Sequence, residues 1–160
     1  MVDLAAEPVT IAIESPLQDE IRALVAALNA YMIPLTPRQF QFQLTVDEMD
    51  NPDLTLFVAR DAAGKAVGMG ALREHQGFGE VKRMYTLPEL RGTRIGAALL
   101  ARIEERARQR GLSALKLETG EAPGFEAAWR LYERGGYEKC GAFLDYPDSG
   151  YSRFYEKKLV

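Results

Sequence analysis

Arg91-Gly92-Thr93-Arg94-Ile95-Gly96-Ala97 join a strand-like run to a stretch of helical apolar spacing that continues through Ala98, Leu99 and Leu100. A strand that feeds a glycine-containing turn into a helix leaves unpaired backbone N–H groups converging on one point. That point is the positive end of the helix dipole, where proteins bind phosphate or pyrophosphate. Two nucleotide motifs are excluded. The dinucleotide fingerprint Gly-x-Gly-x-x-Gly follows the first strand of a parallel sheet and has an acid about 20 residues on. Residues 91–96 have a different glycine spacing and follow hairpins. The triphosphate loop ends in Gly-Lys-Ser/Thr, whereas Gly96 precedes Ala97-Ala98. The reading without a ligand is a polar turn opening an amphipathic helix, with Gly96 there for close packing.

The surrounding pattern supplies the elements that position this turn. Residues 9–13 are β-branched and alternating, a short strand. Ser15, Pro16 and Gln18 predict a capped helix start, with Leu17, Ile21, Leu24, Val25 and Leu28 on its buried face. Residues 33–43 are ambiguous between loop and strand. Thr45 and Glu48 predict a second, short capped helix. Residues 54–60, 66–75 and 80–86 predict three antiparallel strands, joined by turns at 61–64 and 76–79. A helix from Ile95, stopped at Gly111, leads to a strand at 114–119. This strand–helix–strand unit predicts a parallel pair. A further helix over 124–134 and strands near 137–139 and 153–159 complete an α/β fold: a mixed sheet of six to seven strands with helices on both faces.

Composition narrows the function. A chain of 160 residues, 47% hydrophobic and 27% charged, suits one globular domain over 1–160. A formal net charge of −3 argues against a dominant nucleic-acid or anionic-membrane surface. No apolar run approaches the roughly 20 residues of a membrane span, and residues 1–7 lack the pattern of a secretory signal. Cys140 is the single cysteine, so the expected compartment is the reducing cytoplasm. One cysteine and one histidine, His75, cannot form a zinc site of usual composition, and no metal is expected.

Strand, Arg91-Gly92-Thr93-Arg94-Ile95-Gly96, helix, strand and then Leu131-Tyr132-Glu133 with Gly136-Tyr137 resemble the GNAT superfamily of acyl-CoA N-acyltransferases. The family fingerprint is Gln/Arg-x-x-Gly-x-Gly/Ala, and Arg94 stands where its first glycine sits. The resemblance covers roughly residues 54–159. The segments Leu117-Glu118-Thr119-Gly120, Tyr146 and Ser152-x-Phe154-x-x-Lys157 look like a bacterial branch known only by the general name N-acetyltransferase.

The resemblance implies acetyl-CoA as co-substrate, its pyrophosphate on the backbone of Arg91, Gly92, Thr93, Arg94, Ile95, Gly96 and Ala97. It implies a pantetheine arm along Met84, Tyr85 and Thr86, opposite Glu118 and Thr119, with Phe125 in place of an Asn that touches the arm in many relatives. Met84 and Tyr85 serve equally well as core. Tyr132 is implied as the acid that protonates the leaving thiolate; its plain role is packing. Glu80 is implied as the base, with Glu118 next; Lys82, on the same strand face, makes an ion pair with Glu80 the equal alternative. Trp129 reads as packing, His75 as a surface side chain, and Cys140 as no nucleophile. The implied activity is direct attack of a primary amine, on a small molecule or peptide, on the thioester in a ternary complex. The rival is a non-catalytic acyl-CoA-binding sensor or regulatory module. Acceptor specificity falls to residues 30–50 and 141–152. Arg38, Arg73 and Arg83 could attract a carboxylate-bearing amine, though each reads first as a solvated charge, and Asp145, Asp148 and Glu126 could equally attract a polyamine. A homodimer is common in similar families.

Overall fold

The computed structural model describes residues 9–42 and 44–160. Residues 1–7, read above for a leader, and Gln43, at the end of the ambiguous segment, lie outside the described residues. In chain order the elements are strand β1 (Thr10–Ile13), helices α1 (Asp19–Met32) and α2 (Val46–Met49), and strands β2 (Leu54–Arg60), β3 (Ala66–Glu74) and β4 (Gly79–Thr86). Helix α3 (Ile95–Gln109), strand β5 (Ala114–Gly120), helix α4 (Glu126–Arg134) and strands β6 (Glu138–Cys140) and β7 (Ser152–Lys158) follow. The strands form one sheet in the order β1-β2-β3-β4-β5-β7-β6. Every neighbouring pair is antiparallel except β4 with β5.

Two cores sandwich the sheet. On one face Leu99, Leu100, Ile103 and Ala107 of α3 and Tyr132 of α4 pack on Phe57, Val67, Leu72, Val81, Leu115, Leu117 and Tyr155. On the other, Ile21, Leu24, Val25 and Leu28 of α1, with Val46 and Met49 of α2, pack on Leu56, Val58, Met69, Ala71 and Tyr85. The α/β expectation of six to seven strands, one parallel crossover and helices on both faces matches this structure, which has seven.

Local signals were read with mixed success. Thr45 and Glu48 form the capping box expected: Thr45 Oγ1 accepts from Glu48 N, and Glu48 Oε1 from Thr45 N, both at 3.1 Å. The start of α1 differs. Its N-cap is Gln18, with no side-chain cap, because Ser15 Oγ takes the nearer Leu17 N–H and Gln18 Nε2 donates to Ser15 O and Glu14. These bonds close a separate turn before the helix. Leu17 is therefore exposed rather than part of the buried stripe. The ambiguous segment resolves into 3-10 turns at Ile33–Leu35 and Arg38–Phe40.

Candidate active site

The turn before α3 has the geometry expected of an anion site. Gly92 and Arg94 both adopt positive φ, +85° and +69°. Arg94, at ψ 14°, is the N-cap and provides no side-chain cap. Ala98 is the first residue of α3 whose N–H reaches back into the turn, to Arg94 O at 3.0 Å. The amides before it, from Arg94 to Ala97, have no capping partner among the described residues, as a helix start requires if it is to receive an anion. A left-handed non-glycine residue costs about 1–2 kcal/mol, which explains why the family pattern places glycine where Arg94 stands. Gly96 lies against Leu131 of α4, where an added Cβ would meet Leu131 at 3.4 Å. Close packing and an open helix start therefore coexist.

Beside this turn the sheet splits. Parallel pairing of β4 with β5 consists of Gly79↔Leu115 and Glu80↔Lys116 and goes no further, although β4 continues to Thr86 and β5 to Gly120. Both strands therefore diverge with their facing backbone edges unpaired to each other. Buried backbone polar groups require partners, so an extended arm with amides of its own fits this gap. Met84, Tyr85 and Thr86 lie on that edge. Their side chains part to opposite faces: the Met84 thioether covers Gly70, and Tyr85 is buried on the α1 side.

A β-bulge shapes β4. Pairing with β3 jumps from Ala71↔Lys82 to Met69↔Tyr85, leaving Arg83 and Met84 opposite one residue. Arg83 takes the strain at φ +55°. The extra residue turns Arg83 toward α1, where it donates to Asn29 Oδ1, on the sheet face that also holds Glu80 and Lys82. Arg83 is 7% exposed, and burial pulls its guanidinium down to about 10. The solvated charge expected from sequence is thus a buried one; the bulge, which no local pattern announces, is the reason.

Glu80, 2% exposed, is fully engaged. Its Oε1 lies 2.9 Å from His75 Nε2; its Oε2 accepts from Tyr146 Oη at 2.5 Å and from Lys82 Nζ at 3.4 Å. Lys82 also donates to Tyr146 Oη at 2.7 Å. The ion pair with Lys82 is formed. His75 is partly buried rather than a free surface side chain: it stacks on Phe78 at 5.0 Å and bonds Glu80, because the hairpin register, Arg73↔Glu80 and Glu74↔Gly79, places it diagonally across from Glu80. Glu118 is less engaged, accepting from Ser152 Oγ at 2.6 Å. Burial raises its proton affinity, opposed by Ser152 and Lys82.

Tyr132 is 6% exposed, edge-on to Tyr137 at 5.8 Å and beside Tyr155 at 6.0 Å. Burial, with the charge of Glu118, holds its phenol well above the ordinary value, so it carries its proton at neutral pH. Phe125 covers Gly120 at the end of β5, its ring filling the space that a Cβ there would need. Trp129 donates from Nε1 to Gly120 O at 2.8 Å, under the Arg153 guanidinium. Cys140 has its thiol pushed up by burial, the opposite of an activated nucleophile.

The two segments assigned to the acceptor meet over this face. Phe40 stacks on Tyr151 at 4.9 Å, and Phe42 meets Tyr146 edge-on at 5.1 Å. Phe143 packs against Phe78, Tyr146 and Phe154. Tyr146 entered the sequence reading only as part of the family tail; Asn29 was missed, since an Asn in the last turn of a helix carries no signal of its partner. Among the described residues no cluster of three or more His, Cys, Asp or Glu could hold a metal, and no helix is long and apolar enough to cross a membrane.

A mixed sheet split between its parallel strands, with an uncapped helix start at the mouth, is the architecture of an acyl-CoA N-acyltransferase. A protein of Klebsiella pneumoniae subsp. pneumoniae that bears that name superposes with a TM-score of 0.80 at 38% identity, over 98% of this chain and 99% of that one. An aminoglycoside 6'-N-acetyltransferase solved with coenzyme A shares the fold, with a TM-score of 0.71 at 16% identity over 94% and 97% of the two chains. In sequence the chain is 43% identical over 153 residues to the IAA acetyltransferase of Azospirillum brasilense, covering 94% of this chain and 98% of that one. It is 32% identical over 142 residues to the uncharacterized N-acetyltransferase YsnE of Bacillus subtilis (strain 168), covering 86% and 93%. The model of the acetyltransferase (GNAT) family matches residues 21–137. The chain belongs to that family.

Proposed function

We propose that this protein transfers an acetyl group from acetyl-CoA to a primary amine by direct attack within a ternary complex. The observation that carries the reading is the split between β4 and β5 beside the uncapped start of α3. An anion-binding end and an open backbone edge together suit a long cofactor that is a diphosphate at one end and an amide-bearing arm at the other. The N–H groups of Arg94, Ile95, Gly96 and Ala97 would hold the pyrophosphate, and the free edge of Met84, Tyr85 and Thr86 the arm, with Phe125 closing the far side. When bound, the thioester supplies the activated acetyl group.

The remaining chemistry belongs to the chain. An amine is neutral before it attacks, so a carboxylate accepts its proton. Glu80 was the first candidate, and both its oxygens are already in hydrogen bonds. Glu118 has a single partner and a burial-raised affinity for protons, the property a base working near neutrality needs. We assign proton acceptance to Glu118, and to Glu80 the anchoring of Lys82, whose charge acts on Glu118. Forming the amide breaks the carbon–sulfur bond, and Tyr132 gives its proton to the departing sulfur. The phenolate is then reprotonated by the second proton that the nitrogen sheds as it becomes the amide, and Glu118 passes the first to solvent. A backbone N–H on the β4 edge polarises the carbonyl without any particular side chain.

The name of the Azospirillum relative makes IAA one compound to test as acceptor. A crystal structure with coenzyme A tests the binding half of the proposal. The diphosphate is expected on the amides of 94–97 and the arm between β4 and β5. Binding elsewhere, or an arm lying outside the split, overturns it.

A further inference from the structure

Among the described residues Arg83 is a buried cation without a counter-ion. Among the described residues every ion pair of the face it occupies involves other groups: Lys82 and His75 take Glu80, and no carboxylate lies within ion-pair distance of Arg83. Among the described residues its one hydrogen bond goes to the neutral amide of Asn29, and its Nε is sealed from solvent with no partner. A charge taken out of water needs a charged or strongly polar partner. The backbone is also strained to put it there. Without the bulge, strand alternation would send residue 83 to the α3 face; with φ at +55° it shares the α1 face with Glu80 and Lys82. Strain of this kind persists where it serves a site.

We infer that Arg83 receives a carboxylate of the acceptor, so that the substrate is an amine that also carries a carboxylate and an apolar side chain. The inference rests on the acetyltransferase reading of the same cleft. Arg83 directly precedes Met84, Tyr85 and Thr86, the edge assigned to the acyl end of the cofactor. A carboxylate anchored on Arg83 therefore brings an amine on the adjacent carbon to that edge. A guanidinium suits this task because its planar fork matches a carboxylate in two parallel bonds. The apolar portion faces the aromatic side chains that the two acceptor segments bring over the same strands, Phe42, Phe143 and Tyr146, with Phe78 of the β3–β4 turn against Phe143. An amine without a carboxylate would leave Arg83 unpaired, which is how a buried polar group rejects the analogue that lacks its partner.

The test uses CoA-saturated protein titrated with phenylalanine, phenethylamine and 3-phenylpropanoate, and with leucine and 3-methylbutylamine, by calorimetry. Each carboxylate-bearing compound is expected to bind at least tenfold tighter than its decarboxylated counterpart, and 3-phenylpropanoate, which has no amine, to bind as well. In Arg83→Met that ratio falls to about one, and Arg83→Lys, which keeps the charge but not the fork, restores part of it. Equal binding of phenylalanine and phenethylamine by the native protein overturns the inference, and needs no variant to fold. So does an undiminished ratio in a folded Arg83→Met protein. With acetyl-CoA in place of CoA, thiol release on phenylalanine reports transfer separately. Tenfold carboxylate selectivity without thiol release leaves the Arg83 site standing and removes the transferase reading.

Discussion

Tyr132 and Glu118 show how burial sets chemistry one side chain at a time. Tyr132 keeps its proton because a phenolate would be desolvated beside a carboxylate. Replacing it with Phe deletes the oxygen and leaves the packing against Tyr137 and Tyr155. Steady-state kinetics is therefore expected to show kcat/KM lowered about 10²-fold or more, with CoA affinity and Tm nearly unchanged. Glu118 behaves differently. Its affinity for protons is higher folded than unfolded, so its stability contribution is complete below the unfolded value and fades as pH rises through the folded one. Glu118→Gln should accordingly raise Tm at neutral pH and lose that advantage in acid. The same variant is expected to lower kcat/KM by about 10²-fold. On the proposed assignment of the base to Glu118, Glu80→Gln should retain the acidic limb of the pH–rate profile; disappearance of the limb would move the base back to Glu80.

At the scale of elements, much was legible because periodicity and turn chemistry act locally. The hairpins of β2, β3 and β4 follow from alternation and from Gly64 and Gly77, both at positive φ. The crossover through α3 follows from its apolar spacing and from Gly111, at φ +73°. What was hidden is what depends on register. The bulge at Arg83 and Met84 buries an arginine that composition alone would leave in water, and the hairpin pairing that brings His75 to Glu80 is a cross-strand matter. The false capping box at Ser15 failed for the converse reason, since a nearer turn competed for the same groups. The turn before α3 allows a direct check. Arg94→Gly removes about 1–2 kcal/mol of left-handed strain and introduces about 0.5–1 kcal/mol of backbone entropy cost. Thermal unfolding should shift by no more than a few degrees, and upward. On the proposed backbone grip of the diphosphate, CoA affinity should stay within about threefold; a tenfold loss would assign that task to the guanidinium.

The molecule as a whole divides its work across the sheet. One face carries α3 and α4, whose core fixes the split and presents Tyr132. The other carries α1 and the two aromatic segments, which close over Glu80, Lys82, Arg83 and Glu118. Family membership was readable from Arg91 to Gly96 together with Leu131-Tyr132-Glu133, because cofactor recognition uses backbone geometry that recurs in a short pattern. The acceptor side was not, since its residues come from segments distant in sequence and meet only in the fold, as Phe42 meets Tyr146. The most direct measurement of the central claim is amine-dependent release of free CoA thiol from acetyl-CoA, with the native protein and Tyr132→Phe compared side by side. Native protein is expected to release thiol in step with formation of the acetylated amine, and the variant to do so about 10²-fold more slowly or less. Thermal stabilisation by CoA with no thiol released on any amine would contradict the account and mark the protein as an acyl-CoA-binding module.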